Sequence, residues 1–190
     1  MDSKYIDDQT FTNINFSKEA LPIAEYEYCQ FVGCDFSNVV LTGQRFLECE
    51  FVDCNFSNAS LANSSFQTVV FKNCKMLGLQ FESCDQFGFA ASFDSCQLDH
   101  SSFHRMKLNR TSFINCQMEG VDFSLADLKS SKILNCNLLH AIFQETILEK
   151  ADLRKSVNYS INPEENRIKN AKFSLPEVIG LLDKYKIVID

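Results

Sequence analysis

The chain has 190 residues, enough for one folded unit, and holds nine cysteines, 18 phenylalanines, no tryptophan and a formal net charge of −7. That acidity disfavours nucleic acid as a direct ligand and suits a basic partner surface. No apolar run approaches the 18 or so residues a membrane span needs, and the start, Met1-Asp2-Ser3-Lys4-Tyr5-Ile6-Asp7-Asp8, is too acidic for a signal peptide, so a cytoplasmic protein without a membrane segment is expected.

From Phe11 to Phe81 every fifth residue is large and apolar, and after a slip of two the pattern resumes from Phe93 to Leu153. A step of five scatters side chains around an α-helix and flips them across a flat strand. A chain that keeps them on one side must turn a corner once per repeat. Small residues stand two positions before the centres, as in Cys34 before Phe36, Cys54 before Phe56 and Ala126 before Leu128, and share their inward face. Polar, turn-compatible residues follow, such as Ser57-Asn58, Asn63-Ser64 and Asn109-Arg110.

The cysteines count the corners. Cys34, Cys54 and Cys74 are spaced by twenty, as are Cys96, Cys116 and Cys136, so four repeats close one turn. The step from Cys74 to Cys96 is one coil plus the slip, which keeps the two blocks in register. Phe11, Phe31, Phe51, Phe71, Phe93 and Phe113 then form one ladder. The 28 large centres correspond to seven coils. At about 4.8 Å per strand spacing the stack is roughly 34 Å long.

Two places break the column. Glu19 falls in the inward small phase beside Leu21-Pro22, and a buried unpaired carboxylate is costly, so a distorted first coil is expected near residues 18–25. The second is the 86–91 segment, Gln86-Phe87-Gly88-Phe89-Ala90-Ala91, with two extra residues and two off-register phenylalanines. It reads either as an exposed aromatic contact loop or as one ring filling the missing centre while the other covers a corner.

Beyond Leu153 the period is lost, which sets an expected division into a repeat domain, 1–155, and a C-terminal segment, 156–190. Ser174-Leu175-Pro176-Glu177 reads as a capping box that opens a short helix to about Lys184, and Ile187-Val188-Ile189 as a small strand. An open solenoid end exposes backbone groups and its apolar column. Phe173, Leu181, Ile187, Val188 and Ile189 are the candidates to cover it or to join a second copy.

These repeats, with Ala126-Asp127-Leu128-Lys129-Ser130 and Ala151-Asp152-Leu153-Arg154-Lys155 near the ideal, resemble the pentapeptide-repeat family over residues 11–155. The resemblance implies an all-β solenoid, the right-handed quadrilateral β-helix, with the C-terminal segment joining a homodimer end to end. The stretch Asn158-Tyr159-Ser160-Ile161-Asn162-Pro163-Glu164-Glu165-Asn166-Arg167-Ile168 looks like the C-terminus of the members that give immunity to a gyrase-poisoning microcin, and the organisation is similar to the Qnr-like quinolone-resistance proteins. By that resemblance the partner is a type II topoisomerase, DNA gyrase or topoisomerase IV, whose basic DNA saddle an acidic rod would occupy.

The charges are distributed unevenly along the axis. Residues 1–99 carry 14 acidic against 5 basic side chains, a net −9, and residues 100–190 carry 11 against 13, a net +2. Any DNA mimicry therefore falls to the N-terminal coils, through Glu48, Glu50, Asp53, Glu82, Asp85, Asp94 and Asp99, with Phe87 and Phe89 as further contacts. The alternative is that these charges serve solubility, and that the rod is an interaction scaffold for an unrelated partner.

An enzyme needs convergent groups, and the pattern offers none. His100, His104 and His140 fall in outward phases and every cysteine in an inward one, so no Cys-His pair assembles on regular coils. The cysteines are expected to be reduced core fillers. No phosphate loop or metalloprotease motif is present, and neither catalysis nor a cofactor is expected.

Overall fold

A computed structural model describes residues 4–189. Eleven short strands occur among them: β1 (Lys4–Asp7), β2 (Thr10–Thr12), β3 (Ala24–Glu27), β4 (Gln30–Val32), β5 (Arg45–Leu47), β6 (Glu50–Val52), β7 (Ser65–Gln67), β8 (Val69–Lys72), β9 (Ala91–Asp94), β10 (Ser112–Ile114) and β11 (Lys132–Leu134). They pair in parallel as a four-stranded sheet, β1-β3-β5-β7, and a seven-stranded sheet, β2-β4-β6-β8-β9-β10-β11. Isolated parallel bridges, for example Asn15↔Asp35↔Asn55↔Lys75↔Gln97↔Gln117↔Asn137 and Gln80↔Ser102↔Asp122↔Ile142, complete the other two sides. The molecule is a four-sided β-solenoid of about seven coils.

The corner sits two residues after the large centre, and the backbone is left-handed there at all but Lys18, Ile23 and Ser83: Asn13, Gly33, Asp53, Asn73, Ser95, Asn115 and Asn135 mark one edge of the column. Non-glycine residues there cost roughly 1 kcal/mol each. The ladder offsets this, because the corner amide donates to the next coil, as Asn13 does to the Val32 carbonyl at 2.8 Å and Asp53 to the Lys72 carbonyl at 3.0 Å. Aspartate and asparagine just before a centre add an Asx turn, as when Asp35 accepts the Ser37 amide at 2.9 Å and Asp122 that of Ser124 at 2.7 Å.

Inside, side chains of one column lie directly over each other. Phe11, Phe31, Phe51, Phe71, Phe93 and Phe113 stack with ring centroids 4.7, 4.7, 5.1, 5.3 and 5.0 Å apart, while neighbouring columns meet edge to face. Phe71 and Phe93 stack at 8° across the two-residue slip, so the insertion does not rotate the stack.

All nine cysteines are buried and free. The structure adds a reason for the residue type beyond small size. Each thiol of the main ladder donates to the carbonyl of a centre one coil back: Cys54 to Phe31 at 3.3 Å, Cys74 to Phe51 at 3.4 Å, Cys96 to Phe71 at 3.5 Å and Cys136 to Phe113 at 3.5 Å. Elsewhere Ser101 and Thr146 take the same role, donating to Met76 at 2.8 Å and Phe123 at 2.9 Å. Inward small residues thus fill the gap between rings and satisfy a second lone pair of a buried carbonyl. Burial pushes the thiols of Cys49 and Cys84 up to about 12. At pH 8 these two are protonated, and the thiolate is the nucleophile. Neither is expected to alkylate with iodoacetamide in the native protein over hours, whereas all nine should react once it is unfolded in guanidinium; fast native labelling of Cys49 or Cys84 would refute their burial.

Irregularity is expected at residues 18–25 and 86–91. Glu19 is exposed, its amide and that of Lys18 both donating to the Asn15 carbonyl, and no bridge joins residue 20 to Val40. In the second irregularity the two rings take different places. Phe89 packs against the core, edge to face with Phe81 at 6.4 Å, while Phe87 stands 84% exposed.

The C-terminal part departs from expectation in two ways. Although the sequence period ends at Leu153, the ladder does not: Asn137↔Val157, Ile147↔Arg167 and Asp152↔Lys172 continue it. Tyr159, Ile161 and Asn166 are buried, the last two in the inward phase above Ala141 and Thr146, and the Asn166 carboxamide donates to the carbonyls of Phe143 and Asn162, both at 2.9 Å, and accepts the Thr146 amide at 2.9 Å. The expected capping helix and terminal strand are not formed. The chain instead makes two 3-10 segments, Glu177–Leu181 and Asp183–Tyr185, and residues 187–189 pair with no strand among the described residues. The physical cause is competition from the last coil. The Ser174 hydroxyl accepts the Lys155 amide at 3.0 Å instead of capping a helix, and the Gly180 carbonyl accepts the Ile161 amide at 3.0 Å.

Candidate protein-interaction surface

The rod offers three surface features: outward carboxylates, the aromatic loop and the C-terminal end. Glu50 projects from β6 in the larger sheet, and Glu48 and Asp53 occupy the two corners that flank it, both exposed. Asp94 ends β9 in the same sheet. Glu82 and Asp85 lie across the column, in the turn that leads into the loop, and Asp99 stands on a third side. The seven carboxylates are therefore not brought to one face; four border the larger sheet.

Several already have work in the fold. Glu50 pairs with Lys72 at 2.5 Å. Asp94 accepts from the Ser95 hydroxyl at 3.0 Å and the Asn115 amide at 3.2 Å, and Asp99 accepts the Glu119 backbone amide at 2.8 Å. Asp85 accepts the Phe87 amide at 2.9 Å, forming the Asx turn that presents the Phe87 ring. The loop is tied at its far end by Ala90, whose amide donates to Phe66 at 3.0 Å and whose carbonyl accepts from Val69 at 2.9 Å. Glycine at position 88 serves a left-handed φ of +72°.

The smaller sheet holds a further acidic region that the sequence-based selection left out. Tyr5, Asp7, Asp8, Glu25, Glu27 and Tyr28 lie on or beside β1 and β3, with Glu48 next along the same edge. The Tyr5 hydroxyl donates to the Glu27 carboxylate, a bond that pushes its pKa up to about 12, and the nearby Glu48 charge raises that of Tyr28. The signal was the twenty-residue spacing of Asp7 and Glu27, and of Asp8, Tyr28 and Glu48, applied to outward residues as well as to the core.

At the C-terminal end Phe173 and Leu181 pack against the core, with Phe173 5.7 Å from the buried Tyr159 ring. The Lys184 ammonium and the Tyr185 hydroxyl both bond Glu164, which fastens the tail to the last coil. Ile187, Val188 and Ile189 do not take part in this cover and are 57%, 88% and 54% exposed. Ile187 and Ile189 line a shallow surface groove together with Ile179 and Leu182.

His100, His104 and His140 lie at the surface, His104 within 4.0 Å of Asp122 and His140 within 3.8 Å of Glu119. Among the described residues no group of three His, Cys, Asp or Glu side chains is arranged to hold a metal ion, and no helix is long and apolar enough to cross a membrane.

Solved structures share this architecture. A trypsin-treated form of QnrB1, a plasmid-mediated fluoroquinolone resistance protein, aligns with a TM-score of 0.61 at 17% identity, covering 99% of this chain and 98% of that one. HetL, a pentapeptide-repeat protein involved in heterocyst differentiation regulation from the cyanobacterium Nostoc sp. strain PCC 7120, aligns with a TM-score of 0.58 at 16% identity, covering 89% of this chain and 85% of that one. No curated protein matches by sequence. At these identities the likeness concerns the fold. The family model of the pentapeptide repeat region matches residues 24–87 and 89–174, leaving out only position 88 at the loop between them, and on that match this chain belongs to the pentapeptide-repeat family.

Proposed function

We propose that this protein is a non-enzymatic binding protein of type II topoisomerases, in which the acidic N-terminal coils occupy a basic DNA-binding surface and protect the enzyme from a quinolone or a toxin. The observation that carries this is the axial charge distribution, net −9 over residues 1–99 against +2 over residues 100–190, displayed on a rigid four-sided rod. The similarity of the tail to microcin-immunity proteins and the shared fold with a fluoroquinolone resistance protein support the choice of partner. Contacts to a basic saddle are assigned to Glu48, Glu50, Asp53 and Asp94 beside the larger sheet, with Glu82, Asp85 and Asp99 around the column and Phe87 as the projecting ring. Phe89, half-buried against Phe81, acts by holding the loop. The protein works in the cytoplasm, binds no nucleic acid itself, and forms a homodimer through Ile179, Leu182 and residues 187–189 beside the Phe173 and Leu181 cover.

Gyrase supercoiling and quinolone-induced cleavage assays at low salt are the test. The expected result is reduced cleavage in the presence of the protein and a complex that weakens as salt screens the carboxylates. Phe87→Ser is expected to weaken the complex about tenfold, as for loss of a buried aromatic anchor, with an unchanged melting temperature. No inhibition, no protection and no complex would remove the assignment.

A further inference from the structure

We propose that the protein also pairs side by side with a second, antiparallel copy of itself, along the edge that carries the 86–91 loop at its midpoint. The edge is a single column of corner residues, all left-handed: Asp8, Tyr28, Glu48 and Thr68 on one side of the loop, and Arg110, Ser130, Lys150 and Asn170 on the other. Register places the loop between them, since Val69 pairs with Ala91 and Ser92 with Ser112, so position 90 takes the rung between Thr68 and Arg110. Four rungs stand on each side, each arm being about 19 Å long at ~4.8 Å per rung.

The two arms are opposite in charge. The first carries Asp7, Asp8, Glu27 and Glu48, the second Arg110, Lys129, Lys150 and Lys169 with a single acid, Glu149, which already pairs with Lys129 and Arg167; apart from Lys129 and Glu149, none of these residues of the two arms has an ion-pair partner among the described residues. A twofold axis through the loop, perpendicular to the rod, brings the rung of Asp8 opposite that of Asn170 and Lys169. It brings Tyr28 and Glu27 opposite Lys150, Glu48 opposite Ser130 and Lys129, and Thr68 opposite Arg110. Three of the four rungs then set an acid against a base, twice over by symmetry. At the axis the Phe87 ring, 84% exposed, meets its own copy. A parallel pairing would set acid against acid and base against base, so the charge pattern selects one orientation. The insertion sits where the sign changes, which gives this edge, and none of the other three, a self-complementary centre.

Sedimentation and small-angle scattering at about 20 mM and about 500 mM salt test the proposal, because the Debye length falls several-fold over that range. The expected result is a low-salt dimer of unchanged rod length and greater cross-section that dissociates at least tenfold more readily at high salt. An end-to-end dimer through residues 187–189 would instead double the length and persist in salt, so the two interfaces are read separately. Two charge-reversal variants sharpen the test: Lys129→Glu with Lys150→Glu and Lys169→Glu, and Asp7→Lys with Asp8→Lys, Glu27→Lys and Glu48→Lys. Six of the seven positions are exposed and Glu27 is half-buried, and near-native circular dichroism is the check on folding. Each variant alone is expected to lose the low-salt dimer, and an equimolar mixture to recover it, since each of the three charged rungs of the mixed pair then sets an acid against a base. A low-salt monomer, a lengthened dimer alone, or reversal variants that associate like the parent or fail to recover on mixing would overturn the pairing, whatever the outcome of the topoisomerase assays.

Discussion

Phe71→Ala is expected to destabilise the rod by about 3–5 kcal/mol, the usual range for emptying a buried phenylalanine site. Phe71 is 1% exposed and lies at the junction of the two repeat blocks, stacked 5.1 Å from Phe51 and 5.3 Å from Phe93 and edge to face with Phe56 at 5.7 Å. Its replacement leaves a gap between two rings held apart by the hydrogen bonds of β6, β8 and β9, so the column cannot close over it. At about 2–4 °C per kcal/mol for a chain of this size, the melting temperature should fall by roughly 10 °C. Lys72→Ala, one residue along and outward, removes only a solvent-screened ion pair with Glu50 and should leave the melting temperature close to the parent's. Equal effects of the two variants in thermal denaturation would contradict the inward and outward assignment.

Gly180→Leu is the second change with a large expected effect, and its consequence is local. Glycine is needed there for space: a Cβ would stand 2.0 Å from the Tyr159 carbonyl oxygen and 3.0 Å from its ring. The opposing atom is backbone, so no rotamer change relieves the clash, and overpacking of this kind costs about 1–3 kcal/mol or more. The tail must lift, which breaks the bond from the Ile161 amide to the Gly180 carbonyl and uncovers Tyr159. Hydrogen exchange should accelerate at Ile161 by about 100-fold, the equivalent of 2.7 kcal/mol, and protease should cut within 174–186, while amides of β4, β6 and β8 keep their protection. Unchanged exchange at Ile161 would show that the tail is seated by other contacts.

The clarity of the fold in the sequence has a simple origin. A solenoid buries each coil against its neighbours in sequence, so spacing in the chain is also spacing in space. Phe31 over Phe51 and Cys54 over Cys74 could be read from a step of twenty, and the structure stacks the rings at 4.7 Å. By the same logic Glu19 and the Gln86 segment stand out in the sequence, because both break the phase. It did not reveal why thiols recur. That needed the distance from each sulfur to a carbonyl one coil back, such as Cys54 to Phe31.

For the interaction surface the position is reversed. Outward residues are not constrained by the core, so a list of carboxylates carries no face. The acidic edge built by Asp8, Tyr28 and Glu48 emerged only when the corners were aligned, and Glu50 and Asp94 proved partly engaged with Lys72 and Asn115. The tail is the other case. A capping box and helical spacing argued for a helix, and the last coil overrode both by taking the Ser174 hydroxyl and the Gly180 carbonyl as ladder partners.

Periodicity alone thus determined the four-sided column, its inward phenylalanines and thiols, and the register across the loop, because each follows from a local spacing repeated coil after coil on both sides of the slip. Tertiary structure alone decided the depth of Phe89 against the exposure of Phe87, the continuation of the ladder to Lys172, and the seating of the C-terminal tail. Those depend on which backbone groups of the final coil remain unpaired and which segment reaches them, and that competition is settled in three dimensions.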